Sequence, residues 1–147
     1  MRPNFWRAPN DNDFGAGVQH RLLPWKTAMQ NPTLLSWSYS NTKDNKFLVK
    51  ATYILPEVSS ELVLNYEINS NGELSVQQVL HIDKAKEVTM LPRFGMEIVL
   101  PKDFNAMQYY GKGPHENYLD RNYSAPVGLY NQTVSEQYYP YIRPQET

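Results

Sequence analysis

From residue 34 onward, hydrophobic and polar residues alternate along the chain with the period of two that is typical of a β-strand with one buried and one solvated face. In the segment LLSWSYS, Leu35, Trp37 and Tyr39 alternate with serines. An Asn71–Gly72 pair separates two such segments and suits the positive φ angles of a tight hairpin turn. Strands are predicted over residues 34–40, 46–55, 61–68, 73–82, 95–101 and 104–111.

The same pattern predicts the fold class. No stretch has a sustained helical period, so the chain is expected to form an antiparallel all-β sheet that is one layer of a β-sandwich. Prolines interrupt residues 1–33, which are expected to be irregular apart from a short helical turn within 16–23 or 25–30. Antiparallel strands are expected over residues 34–111, and long ordered loops over residues 112–147.

The composition excludes several classes of function. With 147 residues the chain is one domain or a large part of one. Its net charge is −1, whereas nucleic-acid and anionic-membrane partners require a clustered positive field. The absence of cysteine excludes disulfides and thiolate sites, and no apolar run approaches the ~20 residues that span a bilayer. We therefore expect neither a nucleic-acid partner nor a membrane partner.

The acidic motif near the start of the chain does not match a calcium-binding loop. DNDFG at residues 11–15 fails as an EF-hand loop, because Gly15 is fifth and Leu22 is twelfth in the register that the loop requires. Asp11, Asn12 and Asp13 are therefore interpreted as a polar turn or as part of an interdomain loop.

The segment GKGPHENYLDR at residues 111–121 has neither the spacing of a phosphate loop nor the second histidine of a zinc protease helix. Glycosidases act through two carboxylates, and Glu116 with Asp120, or Asp11 with Asp13, are the pairs that invite this comparison. Spacing does not establish such a pair, and structural ion pairs are the preferred interpretation. We expect His115, Glu116, Asp120 and Arg121 to stabilise an ordered connection or an interdomain contact, without a catalytic role.

Three stretches resemble a known family. They are NFWRAPNDNDFGAG at residues 4–17, LPRFGMEIVLP at 91–101 and YYGKGPHENYLDRNYSAPVGLYNQTVSEQYYPYIRPQE at 109–146. Together they resemble the C-terminal small-chain domain of bacterial β-galactosidases of glycoside hydrolase family 2. The resemblance implies an antiparallel supersandwich similar to the galactose-mutarotase fold, of which residues 1–147 would be the first portion.

The resemblance also implies a function. The intact enzyme would hydrolyse terminal β-D-galactosides with retention, through a covalent galactosyl intermediate. In the family the catalytic glutamates and most galactose and metal contacts lie in a TIM barrel, which implies no catalytic residue and no metal ligand here. Mg and Na, if used, would be bound elsewhere in the enzyme. The isolated chain is expected to be inactive, with the remaining domains as partners and the β-galactoside bound only by the intact enzyme.

One segment is expected to lie near the substrate. PEVSSE at residues 56–61 falls where the family has a loop beside the active-site mouth. The resemblance therefore implies that Glu57, Ser59 and Ser60 are close to the substrate.

Two alternatives stay open. The chain could be a self-sufficient carbohydrate-binding module that uses Trp6, Trp25 or Trp37, although these side chains also suit a core. It could instead serve oligomer assembly. Half a sandwich leaves sheet surface uncovered, so self-association of the isolated chain is expected. A bacterial compartment, cytoplasmic or periplasmic, is implied by the resemblance.

Overall fold

In a computed structural model, residues 1–83, 85–117 and 119–142 are described. The strands are β1 (Arg2–Asn4), β2 (Thr33–Asn41), β3 (Phe47–Leu55), β4 (Ser60–Ile68), β5 (Leu74–Ile82), β6 (Gly95–Glu97), β7 (Ala106–Lys112) and β8 (Val127–Thr133). Two short helices, α1 (Asp11–Gly15) and α2 (Leu23–Thr27), precede β2. Short 3₁₀ turns cover Pro56–Val58, Leu119–Ser124 and Val134–Gln137. The predicted all-β, antiparallel sandwich class is confirmed by these elements.

The chain forms two compact units. The first contains Arg2–Trp6 and His20–Met96, and the second contains Arg7–Gln19 and the described residues from Glu97 onward. No helix in the described ranges is long and apolar enough to cross a membrane.

A four-stranded antiparallel meander, in the order β2-β3-β4-β5, forms most of the first unit. Around the β4–β5 turn, the Gly72 N–H donates to the Asn69 carbonyl at 3.1 Å, and Gly72 has a φ of +80°. The hairpin predicted from the Asn71–Gly72 pair is thereby confirmed, with the positive φ at the glycine. One register shift, between Leu34 and Ser36, interrupts the β2–β3 pairing.

One face of this sheet carries the core of the first unit. Trp25 from α2 is 1% exposed and lies at its centre, with its ring edge-on to Phe5 at 5.9 Å between centroids. The indole N–H donates to the Thr89 carbonyl at 3.2 Å, so the buried ring leaves no donor unpaired. The buried cluster consists of Phe5, Trp25, Ala28, Leu55, Val58, Leu62 and Leu64.

The apolar side chains of this sheet face continue beyond the core. Trp37 lies opposite Ala51 and Tyr39 lies opposite Val49, which places both aromatic residues on the core-bearing face. They are 63% and 64% exposed, and their rings stack with centroids 5.8 Å apart. We call this surface, with Phe47, the aromatic strip.

The β7–β8 hairpin is the sheet of the second unit, with Tyr109 directly opposite Tyr130. Their rings pack against Gly113, where a Cβ atom would lie 2.5 Å from the Tyr109 hydroxyl and 2.8 Å from the Tyr130 ring. Gly113 is thus required for this close approach.

Several predicted boundaries were wrong. Residues 1–33 contain β1 and two helices: α1 replaces the turn expected at DNDFG, and α2 straddles the two ranges proposed for a helical turn. Only Gly95–Glu97 of the strand expected over 95–101 forms, and it pairs with β1. Within residues 112–147, expected to be loops, Val127–Thr133 is a strand because it pairs with β7 along its whole length.

Candidate functional site

The connection between β3 and β4 is held to the first unit by buried residues. Val58 lies in the core, and the buried Ser60 hydroxyl donates to the Val58 carbonyl at 2.8 Å. Between them Ser59 adopts a left-handed conformation, with φ +46° and ψ +47°. The exposed Glu57 carboxylate accepts a hydrogen bond from the Thr27 hydroxyl of α2. The predicted substrate-proximal residues Glu57, Ser59 and Ser60 therefore belong to one ordered turn.

A groove of about 550 Å³ lies beside this turn. Ile54 pairs with Glu61, and Glu61 pairs with His81, so the three side chains form a row across β3, β4 and β5 on the face opposite the core. After β5, the Asp83 N–H donates to the Ser59 carbonyl at 3.3 Å. The groove is lined by Ile54, Pro56, Ser59, Ser60, Glu61, His81, Ile82, Asp83 and Lys86.

Several polar groups of the groove are available for hydrogen bonds to a ligand. Within the described part of the chain, the Ser59 hydroxyl, the Glu61 carboxylate and the His81 imidazole have no hydrogen-bond partner. No three acidic or histidine side chains among the described residues are grouped to hold a metal ion. The arrangement can therefore donate to and accept from hydroxyl groups.

Sequence reasoning did not identify Glu61 and His81 as site residues. A signal for them exists, because the turn predicted at Asn71–Gly72 sets the register of the hairpin. With Ile68 opposite Leu74, each further step along the two strands keeps the pairing, and Glu61 comes to lie opposite His81.

The residues of DNDFG stabilise the start of α1. Asn10 and Asp13 form a capping box: the Asp13 N–H donates to Asn10 Oδ1 at 3.1 Å, and the Asn10 N–H donates to Asp13 Oδ2 at 3.0 Å. Arg7 donates to both Asp13 carboxylate oxygens, at 2.5 and 3.3 Å. Asp11 is exposed in the first helical turn, and the Asn12 carbonyl accepts from the Ala16 N–H at 2.9 Å.

The environment of Asp13 favours its charged form. The hydrogen bond from Arg7 lowers the pKa of the Asp13 carboxyl from its ordinary value, against the opposing effect of burial and with a further lowering by the Asn10 N–H. Asp13 is thus bonded to Arg7 in an ion pair, and it does not serve with Asp11 as a pair of catalytic carboxylates.

Glu116 and Arg121 form an ion pair. Arg121 and the Tyr141 hydroxyl both donate to Glu116 Oε1, and Arg121 also donates to the Tyr141 oxygen at 3.0 Å. The hydrogen bond to Glu116 raises the pKa of Tyr141, and the hydrogen bond to Tyr141 raises that of Arg121. His115 Nε2 lies 3.3 Å from the Ser124 hydroxyl. The side chain of Asp120 is outside the described part of the chain.

The three tryptophans have different environments. Trp25 is a core residue, and the half-buried Trp6 ring lies under the Lys26 ammonium at 5.5 Å from its centroid. Trp37 is exposed in the aromatic strip. Of the three candidates for sugar stacking, Trp37 has the accessible face.

The comparison with known families covers the whole chain. Residues 1–147 match the family described as "Beta galactosidase small chain". The chain belongs to this family. The resemblance drawn from residues 4–17, 91–101 and 109–146 is confirmed.

Curated relatives of this small-chain sequence are named β-galactosidases. The protein of Lactobacillus delbrueckii subsp. bulgaricus is 38% identical over 97% of the chain, and that of Clostridium acetobutylicum is 35% identical over 88%. The protein of Priestia megaterium is 33% identical over 99% of the chain. In each case the chain spans about 14% of the relative's length, so it corresponds to one segment of a much longer protein.

Proposed function

We propose that this chain is a non-catalytic accessory segment of a β-galactosidase that hydrolyses terminal β-D-galactosides. Membership of the small-chain family carries the proposal. The acidic side chains support it: Asp13 is bonded to Arg7, and Glu116 to Arg121 and Tyr141, so neither is available for acid–base or nucleophilic chemistry. The segment would shape or support the active site and the assembly of the enzyme.

The chemistry of the enzyme is assigned to other parts of the polypeptide. We propose a member of glycoside hydrolase family 2, whose catalytic glutamates and any bound Mg or Na belong to domains outside this chain. The turn with Glu57, Ser59 and Ser60 would form part of the rim of the substrate site. This part of the proposal is supported by two observations: the three residues form an ordered turn, and the turn lies beside a groove in which the Glu61 and His81 side chains make no hydrogen bonds within the described chain.

The isolated chain is expected to release no measurable product from an aryl β-galactoside. The assay compares the purified 147-residue chain with the intact β-galactosidase, both prepared from a host that lacks its own enzyme. In the intact enzyme, Glu57→Ala is expected to raise KM for lactose by about threefold, because one polar group of the rim is removed. Glu87→Ala, at an exposed position outside the groove, is the control.

Two outcomes would contradict this proposal. Turnover by the isolated chain would assign catalysis to these residues. An unchanged KM in the Glu57→Ala enzyme would show that the turn is not part of the substrate site. The family membership would not be affected.

The aromatic strip supports an additional role in assembly. Exposed aromatic side chains, each with about 150–250 Å² of surface, lie on edge strand β2, and all nine residues of that strand are exposed. We propose that the remaining domains of the enzyme cover this surface.

Without those domains, the isolated chain is expected to self-associate through the aromatic strip. The Trp37→Ser/Tyr39→Ser double variant should weaken association by at least tenfold, because it removes the exposed apolar area. Sedimentation velocity over a concentration series measures this, with Tyr138→Ser as a control at a more exposed tyrosine outside the aromatic strip. A monomeric wild-type chain at every concentration would refute the expectation.

A further inference from the structure

The row Ile54–Glu61–His81 presents an apolar side chain next to two polar ones. Ile54 and Glu61 are half-buried and His81 is exposed, so solvent reaches the row at its His81 end. Because paired residues on one sheet face lie about 4.5–5.5 Å apart, the row is about 9–11 Å long from Ile54 to His81, which leaves room for one sugar ring together with its hydroxyl groups. An apolar surface flanked by hydrogen-bonding groups matches the two kinds of surface that a pyranose presents.

The described lining of the groove has no excess of positive charge. It carries two carboxylates, those of Glu61 and Asp83, and one ammonium, that of Lys86, together with the His81 imidazole. A site for a phosphate or a carboxylate ligand would need an excess of positive charge or convergent N–H donors. The groove has an acceptor-rich lining instead, which suits the hydroxyl groups of a neutral ligand.

The walls of the groove are held in place before any ligand binds. Val58 anchors the turn in the core, and the bond from the Asp83 N–H to the Ser59 carbonyl joins the turn to the segment after β5. The Thr27–Glu57 hydrogen bond joins the turn to α2. Prior ordering of this kind lowers the entropy cost of binding. The volume of about 550 Å³ is within the range of about 300–1,000 Å³ that is usual for ligand pockets.

From these observations we propose that this groove binds a neutral hexose ring, with Glu61, His81 and the Ser59 hydroxyl bonding to its hydroxyl groups and Ile54 contacting its C–H surface. The inference rests on the proposed function, since it assigns a ligand to the groove beside the proposed rim. The hexose has two possible sources, the galactosyl unit of the substrate or the sugar to which it is linked.

The first experiment measures binding directly. Amide NMR titrations of the 147-residue chain with galactose, glucose and lactose are expected to shift resonances of the groove residues saturably, which replaces the expectation that only the intact enzyme binds the sugar. Glu61→Gln should weaken the binding by about tenfold, because a hydrogen bond to a carboxylate is replaced by one to a neutral amide. His81→Asn should weaken it as well.

The matched control is Glu67→Gln. It makes the same change on the same face of β4, but Glu67 is paired with Lys46 at 2.6 Å and lies outside the groove. This variant should bind as the wild type does. A preference for galactose would identify the galactosyl unit as the source, and a preference for glucose would identify the linked sugar. No saturable shift in a well-dispersed spectrum, or equal weakening by Glu67→Gln, would overturn the proposal.

The same variants in the intact β-galactosidase keep the inference testable if the isolated chain aggregates. Glu61→Gln is expected to raise KM for lactose by about tenfold, whereas Glu67→Gln should not change it. If Glu57→Ala alters KM and Glu61→Gln does not, the hexose site is wrong and the proposed rim stands. If neither variant has an effect, both proposals fail.

Discussion

Replacing Trp25 by alanine is expected to destabilise the first unit by about 3–5 kcal/mol, which is a large part of the stability of a typical domain. The side chain is 1% exposed and fills the space between Phe5 and the sheet residues of the core. Its removal also leaves the Thr89 carbonyl without the indole N–H. Urea denaturation followed by far-ultraviolet circular dichroism measures the loss.

Trp37→Ala is the matched control for this prediction. The same side chain is removed from a position that is 63% exposed, so the free energy of unfolding should change by no more than about 0.5 kcal/mol when the chain is dilute enough to be monomeric. If Trp25→Ala does not fold, Trp25→Phe provides a smaller loss that can be measured. Equal destabilisation by Trp25→Ala and Trp37→Ala would show that the assigned core is wrong.

The strands that sequence reasoning found are those whose evidence is local. β2 to β5 follow one another through short connections, and each alternates apolar and polar residues, so the period of two and the Asn71–Gly72 turn suffice to place them. β8 has no such local evidence in its sequence. Val127–Thr133 is a strand because it pairs with β7 across the long segment that contains Gly113, and its own alternation is weakened by Gly128 and by exposed apolar residues.

The candidate site shows the same limit. Glu57, Ser59 and Ser60 lie within four consecutive residues, and the resemblance to a known family predicts them as a group. Glu61 and His81 come from different strands and carry no motif. Their proximity follows from strand register, which a sequence specifies only after the turn has been placed. The DNDFG motif illustrates the converse: its acidic residues invited a ligand-binding interpretation, and Asp13 is bonded instead to Asn10 and Arg7.

Asp13 is expected to make the stability of the second unit sensitive to acid. Its carboxyl has a lowered pKa in the folded chain, so it contributes stability that is fully present above about pH 5 and is lost as the pH falls through the lowered value. Asp13→Ala should cost about 2–3 kcal/mol at neutral pH, because it removes the capping box and leaves the half-buried Arg7 without this carboxylate. Urea denaturation at a series of pH values tests both expectations.

Asp11→Ala serves as the control for Asp13, since Asp11 is exposed in the same helical turn whereas Asp13 is 7% exposed. It should change the free energy of unfolding by about 0.5 kcal/mol at neutral pH and preserve its dependence on acid. Asp13→Asn separates the two contributions of the side chain: the amide oxygen can still accept from the Asn10 N–H, but the charge that pairs with Arg7 is gone. A flattened pH dependence in Asp13→Asn would assign the acid sensitivity to the Arg7–Asp13 ion pair, and an unchanged dependence would assign it to other carboxylates.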